Sequence, residues 1–170
     1  WGHSLGTTRS AVTFHQDGQF EIDLYFEVGN LLYGPEHGGL DPVDLYHRLA
    51  QRADTGDGLR QELHDRLRET IELRFDGRPA DFAISFPRLD AGEPPRRGAL
   101  PGSHAFRQGQ VPAGSRTFVM EYDKIYGDIL GVIRQGRQGP IQRRLTSWGE
   151  ASEPYFLDGS GPEESSTRVA

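Results

Sequence analysis

Hydrophobic side chains occupy every second position in several short segments of the chain, a period that is typical of β-strands. The longest such segment is 19–28, whose apolar positions are Phe20, Ile22, Leu24, Phe26 and Val28. A shorter alternating run, residues 7–15, lies before it, and Asp17-Gly18 stands between the two. Asp-Gly in that position favours a tight turn because both residues tolerate positive φ. The pattern predicts a β-hairpin with one almost wholly apolar face, which other elements must bury.

The alternation returns in the second half of the chain. Ile71–Phe75 and Phe82–Phe86 flank another Asp-Gly pair at positions 76 and 77, so they are predicted to form a second hairpin. Further strands are predicted near Ala105–Gln110 and at Phe118–Tyr122, Ile129–Arg134 and Ile141–Trp148. Gly29–Leu40 is rich in glycine and is expected to be an irregular connection.

A helical period separates the two predicted hairpins. Asp41-Pro42 indicates a helix start, because Asp can cap the first turn and Pro fits the first helical position. Residues 43–53 carry one apolar face, and 54–58 break the helix. A second helix is predicted from apolar residues four positions apart: Leu59, Leu63, Leu67 and Ile71. We therefore expect a two-helix insertion at about residues 41–70.

About seven short strands separated by turn signals predict a mainly β fold, an antiparallel Ig-like β-sandwich with the two-helix insertion. A sandwich hides the apolar face of each strand between two sheets. A flatter α+β sheet with the helices on one face is the alternative, but two short helices cannot cover so many apolar strand faces. Residues 1–157 are predicted to form one domain, and residues 158–170 have the composition of an acidic Gly/Ser/Pro linker.

Composition excludes several classes of protein. The 170 residues are 35% hydrophobic and 26% charged, which suits one globular domain with its own core. No apolar run approaches the roughly 20 residues that span a bilayer. A net charge of −6 argues against a nucleic-acid partner, since phosphate binding needs a basic face. The absence of cysteine excludes disulfides, thiolate metal ligands and cysteine nucleophiles.

The candidate chemistry is sparse. No nucleophile elbow, dinucleotide fingerprint or phosphate loop is present, so we expect no enzyme. The histidines show no His-x-His or His-x-x-x-His spacing, and most are expected to be ordinary surface residues. His3 is the candidate metal ligand, because imidazole suits nickel, copper or zinc and the α-amine would join it if Trp1-Gly2 were removed. A site built from His3 and a carboxylate such as Asp23 stays open.

Four arginines, Arg134, Arg137, Arg143 and Arg144, flank the turn between the last two predicted strands. Such a cluster can contact an acidic protein partner or anionic lipid headgroups. The alternative is a solvated, basic surface without a partner.

Several features occur together in this chain: the His3-Ser4-Leu5 start, the first hairpin, the Asp-Pro helix start, Glu72–Pro79, Phe118–Asp123 and the acidic linker ending in Thr167–Ala170. Together they resemble the extracytoplasmic N-terminal region of HupE/UreJ-like membrane proteins. The resemblance implies a location outside the cytoplasm, a signal peptide removed before Trp1, and a membrane segment after Ala170. It also implies a role in handling nickel or cobalt. The family's His and Asp motifs lie in membrane helices, so only His3 is carried over to this chain.

Three hypotheses follow from the sequence. The first is a soluble extracytoplasmic domain that docks on the membrane part of its own precursor and assists the handling of a divalent ion, nickel, cobalt or copper. The second is an Ig-like protein-interaction module with no metal role. The third is a copper oxidase or oxygenase with an N-terminal His brace, which needs a second histidine near His3.

Overall fold

Ten β-strands supply most of the regular structure in a computed structural model that describes residues 8–34, 57–91, 104–136, 138–146 and 149–157, with positions 44, 47, 48 and 51. In chain order the strands are β1 (Thr8–Phe14), β2 (Gln19–Tyr25), β3 (Ile71–Phe75), β4 (Arg78–Pro79), β5 (Ala83–Ser85), β6 (His104–Gln110), β7 (Thr117–Tyr122), β8 (Ile129–Gln135), β9 (Ile141–Thr146) and β10 (Tyr155–Phe156). The described helices are α1 (Val28–Tyr33), α2 (Asp57–Thr70) and α3 (Pro87–Asp90), and a short 3-10 helix covers Lys124–Tyr126. The prediction of a mainly β protein is confirmed.

The strands form two sheets. The large sheet has six strands in the order β5-β6-β2-β1-β8-β9, and the small sheet has four in the order β10-β7-β3-β4. Described neighbours pair antiparallel with one exception, the parallel pair of β1 with β8. The chain visits the small sheet between β2 and β5, again at β7, and finally at β10. β8 follows β7 in the chain, crosses from the small sheet to the large one and lies parallel to β1.

Aromatic rings join the two sheets. Phe14 and Phe20 of the large sheet contact the same ring of the small sheet, Phe118, with ring centroids 5.1 and 6.5 Å away. Phe75, the neighbour of Phe118 in the small sheet, lies 5.5 Å from Phe20. Such ring pairs add about 0.5–1.5 kcal/mol each beyond the burial of their area. The apolar faces of the strands therefore meet in one interior between two layers, as the sequence pattern predicts.

The first hairpin forms as predicted, with a different turn conformation. The backbone N–H of Gly18 donates to the carbonyl of His15, and β1 and β2 pair from Phe14 with Phe20 onwards. Only Gly18 has positive φ, 82°, whereas Asp17 accepts a hydrogen bond from the backbone N–H of Gln19. Asp17 thus acts through its side chain instead of through positive φ.

The second Asp-Gly pair forms the turn with both residues at positive φ, 49° at Asp76 and 76° at Gly77. The Asp76 carboxylate also accepts hydrogen bonds from the backbone N–H groups of Arg116 and Thr117. These hydrogen bonds lower the pKa of Asp76 because they stabilise the charged carboxylate. One residue therefore shapes the β3–β4 turn and holds the start of β7.

The partner predicted for β3 was wrong. We expected residues 82–86 to complete the hairpin, but β3 pairs with the two-residue β4, and β5 pairs with β6 in the large sheet. The backbone N–H of Ala80 still donates to the carbonyl of Leu73 at 2.8 Å, and the chain then crosses to the other layer, where β5 begins at Ala83. Phe86 is buried at the start of α3 and not in a strand.

The segment after β2 is also different from the expectation. The predicted strand reached Val28, and Gly29–Leu40 was expected to be irregular. β2 ends at Tyr25. The helix α1 then buries Val28 and the residues three and four positions after it, Leu31 and Leu32. That spacing places them on one helical face, so the apolar period changes from two to the helical period at Val28.

The helical insertion is observed in part. In α2, Leu59, Leu63 and Leu67 are almost fully buried against the core, as predicted from their spacing. Positions 44, 47, 48 and 51 have helical backbone, and the rest of the predicted first helix lies outside the described residues. The predicted linker, residues 158–170, also lies outside them. A strand that was not predicted, β10, brings Tyr155 onto Phe14 with ring centroids 5.5 Å apart.

Arg107 is a buried cation in the core. Its side chain points inward from β6, is 1% exposed, and lies with its guanidinium 5.0 Å from the centre of the Phe82 ring. Nε and Nη2 are buried and have no hydrogen-bond acceptor among the described residues. Burial lowers the pKa of Arg107 to about 10, so the side chain keeps its charge at neutral pH. The core therefore contains a charge that no described carboxylate neutralises.

Replacing Arg107 by methionine is expected to stabilise the protein. Each unsatisfied buried donor costs about 1–3 kcal/mol, and the lost contact with Phe82 offsets about 1–2 kcal/mol of that gain. Urea unfolding of Arg107→Met should therefore give a free energy of unfolding about 1–3 kcal/mol above wild type. Arg68→Met is the matched control, because Arg68 lies over the same ring but is exposed and bonded to the Phe82 carbonyl. A clear loss of stability in Arg107→Met alone would show that the guanidinium has an acceptor in solution.

Alkaline pH is expected to destabilise the protein through its buried tyrosines. Burial raises the pKa of Tyr122 to about 12, whereas an unfolded tyrosine titrates near 10. Above pH 10 the unfolded state loses a proton that folded Tyr122 keeps, so the stability present below pH 10 is lost as pH rises towards 12. The free energy of unfolding of wild type should fall more steeply between pH 10 and 11.5 than that of Tyr122→Phe. Tyr25→Phe is the exposed control, and parallel curves for wild type and Tyr122→Phe would refute the prediction.

Candidate interaction surface

The large sheet has an outer face that points away from the small sheet. On β1 the inward residues Ser10, Val12 and Phe14 alternate with Arg9, Ala11 and Thr13, and the neighbouring strands follow this alternation through their registers. We use the name outer face for these side chains: Arg9, Ala11, Thr13, Glu21, Asp23, Tyr25, His104, Phe106, Leu130, Val132, Arg134, Ile141 and Arg143.

The outer face carries all three large hydrophobic side chains that are exposed in the described part of the chain. Tyr25 is 49% exposed, Leu130 is 42% and Ile141 is 59%. They belong to β2, β8 and β9, and the half-buried Val132 lies between them. Scattered exposed apolar residues are normal on a protein, but here they share one face of one sheet.

Three arginines lie among these apolar side chains. Arg9 is opposite both Tyr25 and Leu130, and Arg134 is opposite Ile141. Arg143 is opposite Val132, and Arg134 Nε donates to Thr13 Oγ1 at 2.9 Å. Arginine mixed with aromatic and aliphatic side chains is typical of the centre of protein–protein interfaces.

Two of the four arginines that the sequence singles out lie on this face, and their role as partner or lipid contacts stays a prediction. Arg134 and Arg143 both lie on the outer face. Arg137 lies outside the described residues, and Arg144 is a β9 residue whose side chain lies outside them. β9 is at the edge of the described sheet, where charged side chains also hinder pairing with another chain, so edge protection is a second role for Arg143.

The β2 side of the outer face is acidic. Asp23 Oδ1 lies 2.8 Å from His104 Nε2, and the His104 ring stacks on Tyr25 with centroids 4.3 Å apart. Glu21 Oε2 lies 3.0 Å from His15 Nε2, without the alignment of a hydrogen bond. The outer face is thus polarised, with carboxylates on β2 and guanidiniums on β1, β8 and β9.

The candidate metal site is not built within the described residues. No group of three or more histidine, aspartate or glutamate side chains there is arranged to hold an ion. His3 lies outside this part of the chain, so its predicted role stays a prediction. The pair of Asp23 and His104 supplies two donors. Sequence alternation places Asp23 on the outer face, but only the register of β2 with β6 brings His104 to it.

A shallow groove runs along α2. It is lined by Gly58, Gln61, Glu62, Asp65, Arg66 and Glu69. All of these residues belong to one helix, so the groove has no opposing wall that would enclose a ligand.

None of the helices in the described ranges is both long enough and apolar enough to cross a bilayer. Comparisons of the chain with family models and with curated proteins find no match. The class that the structure defines is a mainly β protein with two facing sheets.

Proposed function

We propose that this chain is an Ig-like docking domain, the extracytoplasmic domain of a HupE/UreJ-like membrane protein, and that it binds a protein partner through the outer face. The observation that carries the proposal is that Tyr25, Leu130 and Ile141, the exposed large hydrophobics of the described part, share that face. The sequence resemblance supports the location and the membrane tether. Two facing, mainly antiparallel sheets with helical backbone between β2 and β3 support the Ig-like sandwich with its helical insertion.

The chemistry of the outer face favours a protein over a lipid surface. Guanidinium groups are weakly hydrated and pair well with carboxylates, so Arg134 and Arg143 beside Ile141 suit a partner with acidic and apolar side chains. An anionic membrane would attract these arginines but repel a chain with a net charge of −6. The membrane part of the same precursor and a second copy of the domain are both partners of this kind.

The docking role predicts contact at Ile141 in the intact protein. A photo-crosslinking amino acid at position 141, in the full-length protein in its own membrane, should give crosslinks whose peptides belong to a protein partner. The same group in place of Arg78, exposed on β4 of the small sheet, is the matched control and should give few. Equal yields at the two positions, or crosslinks to lipid alone, would overturn the proposal.

Metal handling is the second candidate function, and the pair of Asp23 with His104 is the observation that favours it. Thr8 begins β1 at the end of the sheet where Arg9 is opposite Tyr25 and Tyr25 is opposite His104. Asp23 supplies an oxygen donor and His104 a nitrogen donor on the sheet to which β1 belongs. Neutral imidazole with a carboxylate suits nickel, cobalt, copper or zinc.

Calorimetric titration of these four ions into protein with a defined N-terminus tests the metal role. Binding should be weakened by His3→Ala and by His104→Ala, because both imidazoles would be ligands. His15→Ala is the matched control, since His15 also lies beside a carboxylate on the same sheet. Equal affinity in wild type and His3→Ala would remove the metal role and leave the docking role unaffected.

A further inference from the structure

The strand registers align four outer-face residues in one row. Asp23 is opposite Ala11, Ala11 is opposite Val132, and Val132 is opposite Arg143. The row crosses four neighbouring strands, β2, β1, β8 and β9. With about 4.8 Å between strands, the acidic and basic ends are about 14 Å apart.

The order of charges along this row is complementary to the same row in a second copy that is turned by 180°. A two-fold axis parallel to the strands, above the boundary of β1 and β8, exchanges β2 with β9 and β1 with β8. Asp23 of each copy then faces Arg143 of the other, and Ala11 faces Val132. Packed sheets rotate by about 30° relative to each other because of their twist, and the long Arg143 side chain can follow that rotation.

The next row places a guanidinium near a carboxylate without setting the two opposite each other. Glu21 is opposite Thr13, Thr13 is opposite Arg134, and Arg134 is opposite Ile141. Under the same axis Arg134 faces Thr13 of the other copy, one strand away from its Glu21. Ile141 packs over the methylene groups of that glutamate. In this row the guanidinium of Arg134 therefore lies one strand away from the carboxylate of the other copy, and Ile141 is covered. In the row of Tyr25, Leu130 faces Arg9 of the other copy.

We infer that the outer face binds a second copy of this domain in a face-to-face, two-fold dimer. The inference rests on the proposed function only in taking the outer face as the docking surface, and it names the occupant. A second copy fits because the acidic and basic groups are separated on the face, which makes it self-complementary as an isologous interface requires. Asp23 is available for this contact, since its side chain is 43% exposed beside His104.

The size of the patch predicts a weak dimer. Four strands at about 4.8 Å and about six residues at about 3.3 Å give an area of about 20 by 20 Å on each copy. The two copies together would bury about 800 Å², below the roughly 1,200 Å² of stable specific interfaces, so a transient dimer with a dissociation constant in the micromolar range or above is expected. Salt should weaken the dimer further, because the charged contacts lie near the rim.

Charge reversal tests the geometry directly, by sedimentation velocity over a range of concentrations. Asp23→Arg alone and Arg143→Glu alone should each weaken self-association about tenfold or more, because like charges then face each other twice.

An equimolar mixture of the two variants should form a heterodimer. In that heterodimer the two substituted side chains have opposite charges and face each other, and the unchanged Arg143 of one copy faces the unchanged Asp23 of the other. The double variant Asp23→Arg/Arg143→Glu should recover self-association, because its substituted side chains again have opposite charges where they face each other. Arg78→Glu, on the small sheet, is the control and should dimerise as wild type does.

The outcomes separate this inference from the proposed function. A wild-type chain that stays monomeric at its highest soluble concentration overturns the dimer. The docking role would still stand if the probe at Ile141 crosslinks to a different protein. If neither the mixture nor the double variant associates again, the dimer is also overturned. If Asp23→Arg does not fold, Val132→Glu takes its place, because it puts two like charges beside the axis and should abolish the dimer.

Discussion

Contacts between phenylalanine rings of the two sheets determine which side chains the strands of the first hairpin bury. Phe14 and Phe20 bracket the first turn, and both meet Phe118 of the other layer. A slip of one residue in either strand would turn these rings to solvent and place polar neighbours such as Thr13 or Glu21 inside. The register is therefore fixed, and every second residue of β1, β2, β8 and β9 is assigned to the outer face. Residues on that face do not pack in the core, so core packing does not determine which side chains occupy it.

The core itself departs from a simple apolar pattern at β6. The inward positions of this strand are Ala105, Arg107 and Gly109, and the ring of Phe20 occupies the space beside Gly109. A Cβ at Gly109 would lie 2.7 Å from Cζ of Phe20, so only glycine fits there without a shift. Arg107 fills the remaining volume with a long side chain that packs on Phe82 and keeps its charge. At Gly109, β6 therefore lacks an apolar side chain but lets the Phe20 ring lie directly against its backbone.

These features explain how far the sequence could predict the fold. β2, β3 and β7 were predicted because each of their inward positions is apolar, and β1 because Val12 and Phe14 alternate with polar neighbours before the turn. α2 was predicted from its leucine spacing. β6 was only a weak prediction because its inward residues carry no apolar period. The crossing from β4 to β5 and the parallel pair of β1 with β8 depend on contacts between distant segments, which no local pattern contains. The same limit applies to the site. The arginines were found from sequence, but their apolar neighbours and the Asp23–His104 pair require the register.

The combination of residues on the outer face decides between its two interpretations. Edge protection accounts for Arg143, since a charged side chain on the terminal strand hinders pairing with another sheet. It does not account for Leu130 and Ile141, because exposed apolar side chains beside an open edge promote the association that the arginine would prevent. Nor does it explain why carboxylates and guanidiniums occupy opposite ends of one row. A surface that is covered by a complementary surface accounts for all three observations, since burial on binding stabilises the apolar groups while the separated charges set the orientation.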